Sequence, residues 1–152
     1  MLVTLVALLA AVGVAPASHG PRTKPATCAV VAIEAEQPPR RRPPSARHDP
    51  SRRHSFRATR ILALEFETQL SGHLRRGSSL QLRLYTPGGF LYQVLEVPVE
   101  RGGRSRRRLE ARLPVAGTSI MASGLYGRWT IVPHLDNRRE PCGRGRSFVI
   151  QP

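Results

Sequence analysis

The stretch LQLRLYTPGGFLYQVLEVPV, residues 80–99, decides the fold of this chain. Leu80, Leu82 and Leu84 alternate with polar residues, and a period of two is typical of a strand with one buried face. The residues TPGG, at 86–89, follow this strand; proline presets one backbone dihedral and glycine tolerates positive φ, so they predict a turn. A second apolar run, residues 90–99, comes next. The stretch therefore predicts a β-hairpin.

The same alternation recurs along the chain and predicts further strands at residues 28–33, 60–68, 109–113, 128–135 and 147–151. Helical periodicity is not evident after the N-terminal leader. About seven short strands separated by Gly, Pro and Asp-Asn turns predict an all-β fold, an antiparallel sandwich of two sheets. We expect residues 60–152 to form this sandwich as a single domain, preceded by an N-terminal segment, residues 18–36, that carries the first strand.

Two stretches resemble a known class of domain. LYGRWTIVPHLDN, residues 125–137, with Phe148-Val149-Ile150 after it, resembles the closing hairpin of immunoglobulin-like and fibronectin-like sandwich domains in exported bacterial proteins. LRLYTPGG, residues 82–89, resembles their central hairpin. The resemblance covers residues 60–150 and implies an immunoglobulin-like antiparallel β-sandwich of about seven strands. The chain lacks the Cys-Trp-Cys spacing of antibody domains, and the fold hosts many functions, so the resemblance implies architecture and not chemistry.

The N-terminus has the pattern of a signal peptide, residues 1–17. An uncharged, largely apolar run at residues 2–14 precedes Ala15-Pro16-Ala17, a small-x-small cleavage site. No Lys or Arg precedes this run, although signal peptides usually carry one there. The alternative to a signal peptide is a buried N-terminal strand or helix. No later apolar stretch reaches membrane length. We therefore expect a secreted or periplasmic protein without a transmembrane segment after cleavage.

Arginine dominates the charge of the chain. The formal net charge is +14, and Lys24 is the only lysine. Residues 37–59 are rich in Pro and Arg and have few apolar residues, which predicts a flexible linker. This linker and the loop at 101–108 supply the candidate polyanion-binding residues: Arg40, Arg41, Arg42, Arg52, Arg53, Arg104, Arg106, Arg107 and Arg108. The Ala-rich, Asn-poor composition favours codon usage in a GC-rich genome as the explanation of the arginine content, and a solvated charged loop is the alternative to a binding site.

The two cysteines, Cys28 and Cys142, flank the predicted first and last strands. An even number of cysteines in an exported protein suggests a disulfide, which would tie the two ends of the domain together. The alternative is two unpaired or intermolecular thiols.

The sequence gives little indication of catalytic or metal-binding groups. His134, Asp136 and Glu140 cluster near the last turn, but their spacing matches no zinc or calcium signature, and Asp-Asn is ordinary turn chemistry. No nucleophile elbow occurs, and Glu65 and Glu67 are typical of a solvated strand face. We therefore predict no enzyme, metal or cofactor.

Three aromatic residues have more definite expected roles. Trp129 belongs to the inward series of its strand and is predicted to anchor the core. Tyr85 and Tyr92 flank the Pro-Gly-Gly turn and are predicted to be exposed, as a contact surface, with cross-strand aromatic packing as the alternative.

These features favour two functions. The first is an exported non-catalytic binding or structural module with an immunoglobulin-like fold, whose partner is a protein or another envelope component. The second is a basic protein that binds a polyanion or the envelope through its Arg-rich segments, with an anionic polymer or an anionic membrane surface as partner. Specific nucleic-acid binding is not expected, because aromatic residues are not interleaved with the arginines.

Overall fold

The computed structural model describes residues 26–39, 54–100 and 106–152. Eight strands follow one another along the chain: β1 (Thr27–Glu36), β2 (Ser55–Arg57), β3 (Ala63–Ser71), β4 (Ser79–Tyr85), β5 (Leu91–Pro98), β6 (Arg106–Pro114), β7 (Gly127–Leu135) and β8 (Arg146–Gln151). A 3-10 turn at Ala58–Arg60 and a one-turn helix α1 (Ser119–Ala122) lie between strands. The predicted leader, residues 1–17, lies outside the described residues.

The strands form two sheets. One has three strands in the order β1-β3-β6, and the other has five in the order β2-β8-β7-β4-β5. The pairs are antiparallel except for β2 and β8, which run parallel. The prediction of an all-β sandwich is confirmed, with one more strand than expected and with one parallel pair.

The predicted hairpin is also confirmed. β4 pairs antiparallel with β5, and Leu82 lies opposite Leu95. The connecting turn closes through hydrogen bonds from Gly89 N to Thr86 O and from Thr86 N to Phe90 O, both 2.9 Å. Gly89 has a φ of 80°, which a residue with a Cβ rarely adopts. The glycine in the turn is therefore a requirement of its geometry.

The core lies between the two sheets and follows the alternation in the sequence. Leu80, Leu82 and Leu84 are fully buried from the five-stranded sheet, and Leu64 and Phe66 are buried from the three-stranded sheet. The rings of Phe66 and Phe148 meet across the interface at a centroid distance of 5.6 Å. On folding, each of these side chains is removed from water, which stabilises the folded state by roughly 1.5–3 kcal/mol per large apolar residue.

The predicted linker, residues 37–59, ends earlier in the structure than the sequence indicates. Ser55–Arg57 form β2, and Phe56 is buried against the core. Ala58 is buried in the 3-10 turn that follows. Residues 40–53 of the predicted linker lie outside the described residues. The sandwich thus takes in β1 and β2 as well as residues 60–152.

The disulfide joins Cys28 at the start of β1 to Cys142 in the β7–β8 connection, with a Cα–Cα distance of 5.3 Å. The backbone reinforces this link, because Cys28 N donates to Cys142 O at 3.0 Å. The two ends of the described domain are therefore held together both covalently and by a hydrogen bond.

Candidate functional site

Among the described residues, three of the four exposed large apolar side chains lie on the β4–β5 hairpin. Phe90 is 76% exposed, Leu91 53% and Val94 40%, and Tyr85 is half-buried beside them. Tyr85 pairs with Leu91, and Val94 pairs with Arg83, so these side chains occupy neighbouring rows on the outer face of the five-stranded sheet. We call Tyr85, Phe90, Leu91 and Val94 the hairpin patch. Exposed apolar clusters of this kind mark interaction surfaces more often than isolated apolar residues do.

The hairpin patch also adjoins an open sheet edge. Within the described part of the chain, β5 pairs with β4 and with no other strand. Such an edge presents unpaired backbone N–H and C=O groups to its surroundings. In the described part of the molecule, exposed apolar side chains therefore lie beside a strand edge that has no paired neighbour, and β6 of the other sheet approaches β5.

The structure separates the two tyrosines that the sequence grouped together. The β4–β5 register shifts between Leu84 and Tyr85, and Tyr92 turns toward the core at this irregularity. Its ring contacts that of Trp129 edge-on at 5.1 Å, and its hydroxyl lies 2.7 Å from Ser119 Oγ. Tyr92 is half-buried in this packing, whereas Tyr85 stays on the outer face.

Trp129 is completely buried, and its predicted position in the core is confirmed. Its indole Nε1 donates to Leu125 O at 2.9 Å, so the polar atom of the ring has a partner inside the fold. The rings of Trp129 and Phe148 are stacked at a centroid distance of 6.2 Å.

The residues around the last turn have structural partners. Asp136 and Asn137 have φ values of 53° and 55°, and Arg138 N donates to Leu135 O at 3.0 Å, which defines a tight turn of the predicted kind. Asp136 accepts a hydrogen bond from Ser79 N at 3.1 Å. The ring Nδ1 of buried His134 lies 3.0 Å from Arg138 O.

Glu140 lies exposed beyond the same turn. In the described part of the chain, no group of three or more His, Cys, Asp or Glu is arranged to hold a metal ion.

The predicted polyanion-binding residues fall into two sets. Arg40, Arg41, Arg42, Arg52, Arg53 and Arg104 lie outside the described residues. Arg106, Arg107 and Arg108 form the first part of β6 and lie opposite Ser71, Leu70 and Gln69 of β3. Arg108 forms an ion pair of 3.0 Å with Glu67, and Arg107 points to the opposite side of the sheet. The three arginines thus do not share one face.

The carboxylates that the sequence singled out lie on the outer face of the three-stranded sheet. Glu67 is held by Arg108, and Glu65 lies opposite Glu34 of β1 and Arg112 of β6. Arg112 in turn forms an ion pair of 2.7 Å with Glu36. This face carries charges of both signs, with two ion pairs to arginines of β6, as is usual on a solvated sheet.

One basic region was not evident from the sequence. The β3–β4 loop, residues 72–78, brings His73, Arg75 and Arg76 to one end of the sandwich, next to Arg107 and Arg138. Two open cavities of about 430 and 250 Å³ lie there and share Leu74 and Arg75 as a wall. Sequence alone could not find this region, because its members come from three separate parts of the chain.

Comparisons with protein-family models and with curated proteins give no match. Among solved structures, the chain is similar to the crystal structure of a Bacteroides fragilis protein described as a "putative beta-galactosidase", with 12% sequence identity and a TM-score of 0.34 over 56% of this chain. The matched region is 13% of that protein, so the present chain spans only a small part of its length. Similarity of this extent says nothing about the activity of this chain.

Proposed function

We propose that this protein is an exported, non-catalytic binding or structural module with an immunoglobulin-like fold. The strand order is the observation that carries the proposal. β3 and β6 lie in one sheet while β4, β7 and β8 lie together in the other, as strands B and E lie opposite C, F and G in immunoglobulin-like sandwiches. The extra edge strand β5 continues the second sheet, as in variable-type domains.

Export is supported by two independent features. The first is the leader-like sequence ending at Ala17. The second is the Cys28–Cys142 disulfide, because such bridges form and persist in oxidising compartments. The described part of the chain contains no helix long and apolar enough to cross a membrane. We propose that the mature protein starts at Ser18 and resides in the periplasm or outside the cell, which intact-mass analysis of the exported protein will test.

The binding surface in this proposal is the hairpin patch together with the open edge of β5. An extended segment of a partner polypeptide would add a strand to this edge and place its apolar side chains against Leu91 and Val94. Backbone hydrogen bonds then give affinity, and the side-chain contacts give specificity.

A photo-crosslinking residue at Val94 tests this proposal against the same residue at Val31. Both valines are 40% exposed, but Val31 lies on β1, in the other sheet. In the native host, we expect a crosslinked protein adduct from position 94 and none from position 31. Equal adducts from both positions, or none from either, would contradict the proposed surface.

A second candidate function is polyanion binding, which the net charge of +14 favours. A salt titration on immobilised heparin separates the two candidates. Only a polyanion-binding protein is expected to stay bound near physiological salt, because counterion release weakens non-specific attraction steeply as salt rises.

A further inference from the structure

The β3–β4 loop has a defined conformation that holds two arginines at its tip. Ser78 N donates to Arg75 O at 3.3 Å, and Gly77 has a φ of 76°. Val99 N donates to Ser78 O at 3.0 Å and so fixes the end of the loop to the segment after β5. Arg75 and Arg76 therefore belong to a turn whose end is anchored to the segment after β5.

The smaller cavity has an excess of positive charge. Among the described residues, Arg75, Arg76 and Arg107 line it together with one acid, Glu100. Guanidinium groups donate parallel pairs of hydrogen bonds to planar or tetrahedral oxyanions such as carboxylate, sulfate and phosphate. The guanidinium groups of Arg75 and Arg76, with the positive charge of Arg107 beside them, make this cavity of about 250 Å³ attractive to one such group.

The larger cavity combines cationic and hydrogen-bond-accepting groups. His73, Arg75 and Arg138 line it together with Asp136 and Glu140. The Asp136 carboxylate is already engaged, because it accepts from Ser79 N at 3.1 Å and from the Ser78 hydroxyl at 3.4 Å. Glu140 is exposed and is placed to accept hydrogen bonds from a ligand.

We propose that these two cavities together bind an anionic polysaccharide, with a sulfate or carboxylate group in the smaller cavity and the adjoining sugar in the larger one. Arg75 lines both cavities and would contact both parts of the ligand. This inference rests on the second candidate function, polyanion binding. It names the class of the ligand and places the binding site on the folded domain rather than in the Arg-rich linker.

One observation favours a polysaccharide over a nucleic acid. Among the described residues, no Phe, Tyr or Trp lines either cavity, so a nucleobase has no aromatic side chain there on which to stack. Glu140, in the larger cavity, is placed to accept hydrogen bonds from sugar hydroxyls.

The test compares two double variants that remove the same charge. Arg75→Ser/Arg76→Ser alters the cavities, and Arg57→Ser/Arg128→Ser alters two exposed arginines, on β2 and at the start of β7. Affinity for a heparin-derived octasaccharide is measured at fixed salt. We expect a loss of about tenfold or more for the cavity variant and about twofold for the control, because only the former removes directed charge-assisted hydrogen bonds. Trp129 emission and the melting temperature show whether each variant is folded.

The same measurements with a mixed-sequence single-stranded oligonucleotide, with vesicles containing an anionic lipid and with inorganic sulfate identify the ligand class. We expect the cavity variant to differ from the control for the octasaccharide more than for the oligonucleotide or the vesicles. An equal difference for the oligonucleotide or the vesicles would overturn the polysaccharide assignment. Equal losses in both variants for the octasaccharide would overturn the site while leaving polyanion binding intact. If the unaltered protein binds no polyanion at all, the second candidate function fails together with the site.

Discussion

The guanidinium group of Arg146, at the start of β8, donates to the backbone carbonyl of Val31 in β1 at 2.8 Å. The same Nη1 atom also lies 3.2 Å from Val30 O, and Nη2 lies 3.3 Å from His54 Nε2. The β1–β3 register shifts between Val30 and Ala32, and the extra residue of such a bulge leaves the regular ladder. Arg146 therefore supplies donors to carbonyls where β1 departs from the regular pattern.

Replacing this arginine should destabilise the sandwich without unfolding it. Arg146→Ala removes charge-assisted hydrogen bonds to two carbonyls, and we expect a loss of about 1–2 kcal/mol in the free energy of unfolding, since water reaches exposed Val31 and offsets part of the cost. Arg144→Ala is the matched control, because Arg144 is exposed two residues earlier, and it should change stability by less than about 0.5 kcal/mol. Urea unfolding followed by Trp129 fluorescence measures both values. Equal effects of the two substitutions would show that Arg146 is not a structural link.

Gly143 is predicted to be intolerant of any side chain. A Cβ at this position would overlap the carbonyl oxygen of Cys28, and the neighbouring disulfide and the Cys28 N–Cys142 O hydrogen bond restrict any movement of the backbone. We expect Gly143→Ala to lower the free energy of unfolding by about 2–3 kcal/mol or more, because the clash is with backbone atoms and not with a mobile side chain.

Gly88→Ala is the comparison for this substitution. A Cβ on Gly88 would lie 3.1 Å from the ring of Phe90, which is 76% exposed and free to rotate away. This variant should be within about 0.5 kcal/mol of the unaltered protein in thermal or urea unfolding. A Gly143→Ala variant as stable as Gly88→Ala would mean that the β1 terminus does not pack against the β7–β8 connection.

The disulfide should contribute a large part of the stability. It links residues separated by 114 positions, and the chain-entropy model gives about 4–5 kcal/mol for closing a loop of this length. Reduction, or Cys28→Ala/Cys142→Ala, should lower the free energy of unfolding by up to this amount, and the variant itself should not respond to reductant. Non-reducing peptide mapping of protein from its native compartment should recover the two cysteines in one linked peptide pair. Recovery of two freely alkylated thiols would contradict the bridge.

The sequence predicted those parts of the fold that depend on local pattern. The alternation of Leu80, Leu82 and Leu84 is visible over a few residues, and so is the turn chemistry of Asp136-Asn137. β2 escaped detection because it has three residues and one apolar side chain, Phe56, in an Arg- and Pro-rich context. Its position depends on parallel pairing with β8, which is more than ninety residues away and leaves no local signal.

The candidate sites were harder to predict for a related reason. Strict alternation places Tyr92 on the same face as Phe90 and Val94, but a register irregularity in the hairpin turns Tyr92 inward. Irregularities of this kind depend on tertiary packing and are not encoded by periodicity. The Arg75, Arg76 and Arg107 cavity likewise forms only when the β3–β4 loop and β6 come together.

The contact between Tyr92 and Trp129 leads to the last prediction, a graded series of core substitutions. Trp129 is the only tryptophan of the chain and is completely buried between Tyr92 and Phe148. Trp129→Ala removes the whole ring and should lower the free energy of unfolding by about 3–5 kcal/mol. Trp129→Phe keeps an aromatic ring but loses volume and the hydrogen bond to Leu125 O, so we expect an intermediate loss of about 1–3 kcal/mol.

Tyr92→Phe is the mildest member of the series because it removes only the hydroxyl that lies 2.7 Å from Ser119 Oγ. We expect a loss of about 0.5–1.5 kcal/mol, and Ser119→Ala should give a similar value if the two groups act as a pair. In the unaltered protein, the emission of Trp129 should be blue-shifted and resistant to aqueous quenchers, because its ring has no contact with water. An emission maximum near that of free tryptophan, or a Tyr92→Phe variant as unstable as Trp129→Ala, would contradict this description of the core.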